Sequence, residues 1–209
     1  MIIAHHLIWT VYGWWLPNDP RGSTSRVVRN DVLRELGELH FGRKQIQPSS
    51  KTIRDFYGQA QPKLKHELLP FSPTDIKQVG ESFRRTQVRC NYTVWACAIM
   101  DDHVHLLVRK HRDSFEDMIE HFCNDSQFAL RELGHRPPDH PVWTKGAFHL
   151  FLDQPEEVWR TIDYINLNPP KARMADQHWP FITDYDNWPI HPGSNPKSPY
   201  ARRKHGEPF

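Results

Sequence analysis

Residues 2–12 are rich in β-branched and aromatic side chains and stop at Gly13, a pattern that predicts a first strand. From residue 13 to about 71 the periodicity dissolves into Trp, Pro, Gly and charge. Within that stretch, residues 30–39 place Val32, Leu33, Leu36 and Leu39 at helical spacing and predict one short helix. The segment reads as an insertion over about 13–70 and not as a second domain. Ser72 then offers an N-cap ahead of Pro73, and Ile76, Val79 and Phe83 recur at helical spacing to about Arg89, predicting a helix. Residues 92–100 and 103–108 are β-rich on either side of Asp101-Asp102 and predict a hairpin. Ser114-Phe115-Glu116-Asp117 has the form of a capping box. An apolar stripe follows it through Phe115, Met118, Ile119, Phe122, Phe128, Ala129 and Leu133 up to Gly134, a second long helix. Residues 142–152 read as extended. Pro155-Glu156-Glu157 opens a third helix, and Asn168-Pro169-Pro170 is expected to close it, because a residue before proline disfavours helical angles.

The order strand, helix, strand, strand, helix, strand, helix predicts an α+β fold. Its first six elements match the ferredoxin-like split βαβ arrangement, an antiparallel sheet with helices on one face, and an additional helix follows. The last forty residues, aromatic and proline-rich, are expected to wrap the domain. We therefore expect one domain over 1–190 and a basic, flexible tail over 191–209.

Composition and charge sharpen this picture. The 209 residues, 38% hydrophobic and 25% charged, suit one globular domain with decoration. The apolar runs, such as residues 94–100, fall far short of the ~20 residues of a membrane helix, so no membrane partner is expected. The N-terminus lacks a basic, long-apolar secretory pattern, which makes the cytoplasm the expected location. Cys90, Cys97 and Cys123 are odd in number and lack metal-ribbon spacing, so neither a disulfide framework nor a thiolate zinc site is supported. The formal charge of +2 conceals a basic bias: residues 13–70 hold 10 Lys and Arg against 6 Asp and Glu.

His103-Val104-His105 is the first candidate for chemistry, since strand residues two apart point to the same side and both imidazoles could reach one metal ion. With 14 histidines in the chain, roughly one His-x-His is expected from composition alone, and a pair on an open sheet face is the competing reading. Its setting favours the site, because the pair opens a strand whose continuation, Leu106-Leu107-Val108, is wholly apolar and so reads as central. Tyr164 is the second. On a helical projection Val158, Ile162 and Ile165 define the buried stripe, while Tyr164 and Asn168 stand together roughly 80 to 120° from its centre. Asn168 offers an amide oxygen that a hard cation accepts, although Asn before Pro is also ordinary punctuation at a helix end. A phenol is a weak nucleophile at neutral pH, and a metal that polarises a phosphodiester would make it competent.

Two segments carry a resemblance. Ile99-Met100-Asp101-Asp102-His103-Val104-His105-Leu106-Leu107-Val108 resembles the HUH motif, and Tyr164-Ile165-Asn166-Leu167-Asn168-Pro169-Pro170-Lys171-Ala172 resembles the tyrosine motif, of single-tyrosine transposases of the insertion-sequence 200-like group. The nearest branch is that of the REP-associated tyrosine transposases. His6-Leu7-Ile8-Trp9-Thr10, Leu16-Pro17-Asn18-Asp19-Pro20-Arg21-Gly22 and Trp143-Thr144-Lys145-Gly146 are similar to one of its bacterial subgroups.

The resemblance implies a metal-dependent single-stranded-DNA endonuclease and strand-transferase acting on hairpin-forming DNA. In it His103 and His105 would bind Mg²⁺ or Mn²⁺, Asn168 would complete the metal site, and Tyr164 would form a 5′-phosphotyrosine. Such a protein would associate with the nucleoid when bound to DNA.

Trp14, Trp15 and Arg21, together with Arg26 and Arg29, are candidates for stacking on bases and meeting phosphates, with loop packing as the alternative. Arg84 and Arg85 on the first long helix are a phosphate track or a solvated face, and Lys145 and Lys171 lie near the motifs in sequence. Arg202-Arg203-Lys204 in the tail reads as a solubilising segment. A homodimer is compatible with the sequence, though no heptad argues for one. Two rival functions remain: a domesticated hairpin-binding protein that does not cut, and a phosphodiesterase that uses activated water.

Overall fold

The computed structural model describes residues 1–23 and 31–189. The arginines at 26 and 29 and the tail over 191–209 lie outside the described residues. Four strands, β1 (Ala4–Thr10), β2 (Val94–Ile99), β3 (His103–Arg109) and β4 (Phe148–Leu152), form one antiparallel sheet in the order β2-β3-β1-β4. The first strand is thus central. Six α-helices accompany them among the described residues: α1 (Asp31–Arg34), α2 (Ser50–Ala60), α3 (Pro73–Cys90), α4 (Phe115–Glu132), α5 (Pro155–Asn166) and α6 (Asn168–Lys171).

Local chemistry sets the ends of the long helices. Ser72 and Asp75 at α3, and Ser114 and Asp117 at α4, exchange side-chain and backbone hydrogen bonds in reciprocal capping boxes that satisfy N–H groups without intrahelical partners. Helix α3 stops at Asn91, whose left-handed conformation (φ 56°) an asparagine tolerates.

The alternating strand residues feed two cores. On one face Leu7, Trp9, Val104, Leu106 and Val108 pack with Val79 and Phe83 of α3 and Met118, Phe122 and Leu130 of α4. On the other, Ala4, Ala98, Leu107 and Leu152 pack with Val158 and Ile165 of α5 and with Tyr185. A register irregularity between Val94 and Ala96 lets both Trp95 and Ala96 join this second core. Burial on both faces explains why β3 reads as an unbroken apolar run after its histidines.

The residues after α6 bind the outer side of β2, as the aromatic composition predicted. Gln177 accepts from the Ile99 N–H at 2.9 Å and donates to its carbonyl at 2.7 Å, and the Thr183 N–H reaches Val94 O at 2.9 Å. This occupies the hydrogen-bonding groups of an edge strand. Trp179 lies over Gly80 of α3 so closely that a Cβ there would sit 2.1 Å from its ring.

The insertion departs from expectation. The predicted helix over 30–39 is confined to Asp31–Arg34, because the Asn18 amide takes the carbonyls of Leu33 (2.6 Å) and Gly37 (3.3 Å), and Leu33, Leu36 and Leu39 instead meet Phe56 and Ala60 of α2 in a satellite core. Helix α2, capped by Ser49, was not anticipated. The extended stretch over 142–152 forms a strand only at Phe148–Leu152, with Val142 and Thr144 bonding to the end of β1. Helix α5 ends at Asn166, just ahead of Asn168-Pro169-Pro170 as expected, and Pro169 and Pro170 then open the short α6, where their missing N–H groups leave no intrahelical bond unmade.

Candidate active site

His103 and His105 sit at the start of β3 on the sheet face that α5 crosses. Their Nε2 atoms face each other at 3.1 Å. Two nitrogens each ~2.1 Å from one cation, at a near right angle, lie ~3 Å apart, so this spacing suits a shared divalent ion. The His103 Nδ1 meets the carboxylate of Asp102. The central position of β1 brings in a third imidazole: His6 is two residues along from Ile8, the partner of His105, and so on the same face, and its Nε2 lies 3.0 Å from His105 Nδ1. Both ring nitrogens that point away from the cation position are thereby engaged, that of His103 by a carboxylate, a usual partner behind a metal-ligating histidine, and that of His105 by another imidazole.

Burial acts on these rings. His105 is pushed down to about 2, first by burial and then by the neighbouring His103 and His6, and His6 is pushed down to about 4 by burial. Both stay neutral at pH 7, the form that lends a lone pair to a metal. The Asp101 carboxyl is held above its usual range by burial and by Asp102.

Helix α5 buries Val158 and Ile165 completely and leaves Tyr164 at 47% exposed, as the helical projection required. The Tyr164 ring stands edge-on to His105 with centroids 5.4 Å apart and to His6 at 6.1 Å. Its hydroxyl has no hydrogen-bond partner among the described residues. The Lys171 ammonium is 5.9 Å from the Tyr164 ring centroid. Asn168 turns its amide N–H back onto the Tyr164 carbonyl at 2.8 Å, tying α6 to the last turn of α5. Among the described residues, no group of three or more His, Cys, Asp or Glu side chains is placed to hold a metal ion.

The remaining candidates lie elsewhere. The Trp15 indole donates to Gly22 O at 2.9 Å, and the Arg21 guanidinium stacks 3.9 Å above it while binding the buried Asp19. Trp14 packs against the main core. Arg84 and Arg85 are exposed on α3, across the sheet from Tyr164, and Arg84 pairs with Glu81. Lys145 is exposed beside Thr144, whose N–H reaches Thr10 O at the His103 end of the sheet. The structure thus brings together His103, His105, Tyr164, Asn168 and Lys171 of the predicted residues, sets Asp102 of the hairpin turn, near enough in sequence to have been expected there, against His103, and adds His6. The signal for His6 was available, since the split βαβ order sets the first strand beside the third.

No protein-family model matches the chain, and no curated protein matches it. Among solved structures it is similar to a REP-associated tyrosine transposase bound to a REP hairpin, at 11% identity and a TM-score of 0.45, covering 86% of this chain and 74% of that one. It is also similar to a protein from Deinococcus radiodurans R1 described as a candidate transposase, at 13% identity and a TM-score of 0.37, covering 84% and 93%. These are similarities of chain path, and the chemistry rests on the residues above.

Proposed function

We propose that this chain is a REP-associated-type tyrosine transposase: a ferredoxin-like HUH domain that nicks and rejoins single-stranded, hairpin-forming DNA through Tyr164. The observation that carries this reading is a tyrosine whose hydroxyl is unpartnered among the described residues and whose ring stands 5.4 Å from that of His105, one of two histidines whose Nε2 atoms face each other at 3.1 Å.

In the reaction, Tyr164 Oη attacks a DNA phosphorus, the bond from phosphorus to the 3′-oxygen breaks, and the phenolic proton leaves as the 3′-oxygen gains one. The products are a 5′-phosphotyrosine and a free 3′-hydroxyl. Phosphodiester energy is kept in the protein link, so the reverse attack rejoins strands without a nucleotide cofactor. Mg²⁺ or Mn²⁺ held by His103 Nε2 and His105 Nε2 would polarise a non-bridging phosphate oxygen. Asp102 holds the His103 ring in place, and Lys171, 5.9 Å from the Tyr164 ring, favours the developing phenolate. Asn168 is proposed as an oxygen ligand, which requires its carbonyl to swing toward the histidines while its N–H stays on Tyr164 O.

The test is to mix the protein with single-stranded hairpins from the flanks of its own gene, with Mn²⁺ or a chelator, and look for an adduct that survives denaturation. A metal-dependent adduct that disappears in Tyr164→Phe is the expected result. Tight hairpin binding without an adduct would replace this reading with a non-cutting binder, and metal-dependent cleavage without an adduct would replace it with a water-using phosphodiesterase.

A further inference from the structure

Four groups form one continuous line: His6 Nε2 to His105 Nδ1 at 3.0 Å, His105 Nε2 to His103 Nε2 at 3.1 Å, and His103 Nδ1 to Asp102. Each contact needs one proton, and an imidazole nitrogen is either donor or acceptor. When every ring is neutral and no cation is bound, one pattern satisfies all three contacts. His103 Nδ1–H donates to the Asp102 carboxylate, which leaves His103 Nε2 as acceptor. His105 Nε2–H donates to it, which leaves His105 Nδ1 as acceptor for His6 Nε2–H. The opposite direction would set a lone pair against the Asp102 carboxylate or require an extra proton on His103.

A shared cation changes the requirement at one place. Both facing Nε2 atoms must then offer lone pairs, so the His105 proton must sit on Nδ1, where the sole described group within reach is His6 Nε2. We infer that His6 is a positioning residue for the metal site: it moves its own proton to Nδ1 and accepts from His105 Nδ1–H, so that His105 can present Nε2. This rests on the metal-site reading above. Two protons change nitrogens and none leaves the protein. His6 cannot ligate the same ion through Nε2, because that atom faces the far side of the His105 ring. It is 4% exposed, so water does not readily take its place as acceptor. A phenylalanine in place of His6 would keep a ring and its edge contact with Tyr164 but leave a buried N–H on His105 unpaired in the metal-bound form. A glutamine in the same place offers an oxygen acceptor near the Nε2 position.

The test measures Mn²⁺ affinity of the whole protein by the electron-spin signal of free Mn²⁺, for wild type, His6→Phe and His6→Gln, with folding checked by circular dichroism. His6→Phe should bind Mn²⁺ about ten- to a hundredfold more weakly, the usual loss for an outer-sphere partner, and His6→Gln should recover most of it. Independently, ¹⁵N spectra of the wild-type imidazoles during titration with Mg²⁺ should show His105 and His6 both passing to the Nδ1–H tautomer. This second readout holds if His6→Phe does not fold. Unchanged Mn²⁺ affinity in a folded His6→Phe, tautomers that stay put under saturating Mg²⁺, or no binding of either ion by wild type overturns the inference. His6-dependent Mn²⁺ binding without any DNA adduct would leave the inference standing and sink the transposase reading. An adduct whose Mn²⁺ dependence ignores His6→Phe would do the reverse.

Discussion

Two buried polar networks in this protein are built from different kinds of group. In the insertion, the Asp19 carboxylate accepts from the Arg21 backbone N–H and Nε–H, both at 2.8 Å, from Arg21 Nη2–H at 2.7 Å, and from the Tyr57 hydroxyl. Burial and the adjacent Asp19 push the Tyr57 phenol far above its ordinary value. A guanidinium only donates and a carboxylate only accepts, so the protons between Arg21 and Asp19 have one place to be, and the Tyr57 hydroxyl has a second acceptor, the Trp14 carbonyl at 2.7 Å. In the His6, His105, His103 and Asp102 line, the ring nitrogens can exchange roles. Groups of fixed polarity make a brace, while groups of exchangeable polarity make a site.

The largest effect expected from breaking this contrast is at Tyr164. Phenylalanine there should abolish the covalent adduct and leave the melting temperature within a degree or two, because the ring is half exposed and its hydroxyl pairs with nothing described. Alanine at His103 or His105 should remove metal-dependent cleavage while hairpin binding persists. Next comes Asp19→Ala, which strands the Arg21 guanidinium while the Tyr57 hydroxyl keeps the Trp14 carbonyl, and should destabilise the protein by about 2–3 kcal/mol in chemical denaturation. The rate of adduct formation per folded molecule should not change, since the brace is not part of the site.

Acid should separate the networks further. His6 and His105 titrate lower in the folded chain than their ordinary 6.5, so the unfolded chain takes up protons first, and stability falls as pH drops below about 6.5. Chelator-treated protein should lose about 2 kcal/mol per histidine by pH 5, read from melts across that range, and His6→Phe should flatten the slope. A pH-independent melting curve between about 7 and 5 would contradict neutral burial of the pair. The smallest effect is at Lys171: alanine should slow adduct formation less than about tenfold, in keeping with a distant cation over an aromatic ring.

How much of this was legible in the sequence follows from which interactions are local. The capping residues Ser72 and Ser114, the helical stripes behind them, the hairpin around Asp101-Asp102 and the exposed angle of Tyr164 on its helix all depend on near neighbours in the chain, and all stand in the structure. The truncation of the helix at Arg34 does not, because it depends on Asn18 reaching Leu33 O from outside the segment. Helix α2 was hidden for a related reason: its buried Phe56 and Ala60 face a satellite core and not the main one, so its apolar stripe is short. Trp15 and Arg21 suggested nucleic-acid contacts by residue type, yet their partners, Gly22 O and Asp19, lie within the same loop. The aromatic segment after α6 wraps the domain as its composition suggested, but that Gln177 would serve both backbone groups of Ile99 needed the three-dimensional path.

The central position of β1 has a consequence for how the protein is made. His6 and His105 are 99 residues apart in the chain yet share a hydrogen bond, and β1 pairs with β3 and β4, both of which follow it at long range. During synthesis the first strand must wait for about half of the chain before its first neighbour, β3, exists, with Leu7 and Trp9 still unburied. Until β3 arrives, the polypeptide has no edge on which His6, His103 and His105 can meet. A nascent chain therefore cannot assemble this histidine cluster, which arises only once β3 has joined the first strand.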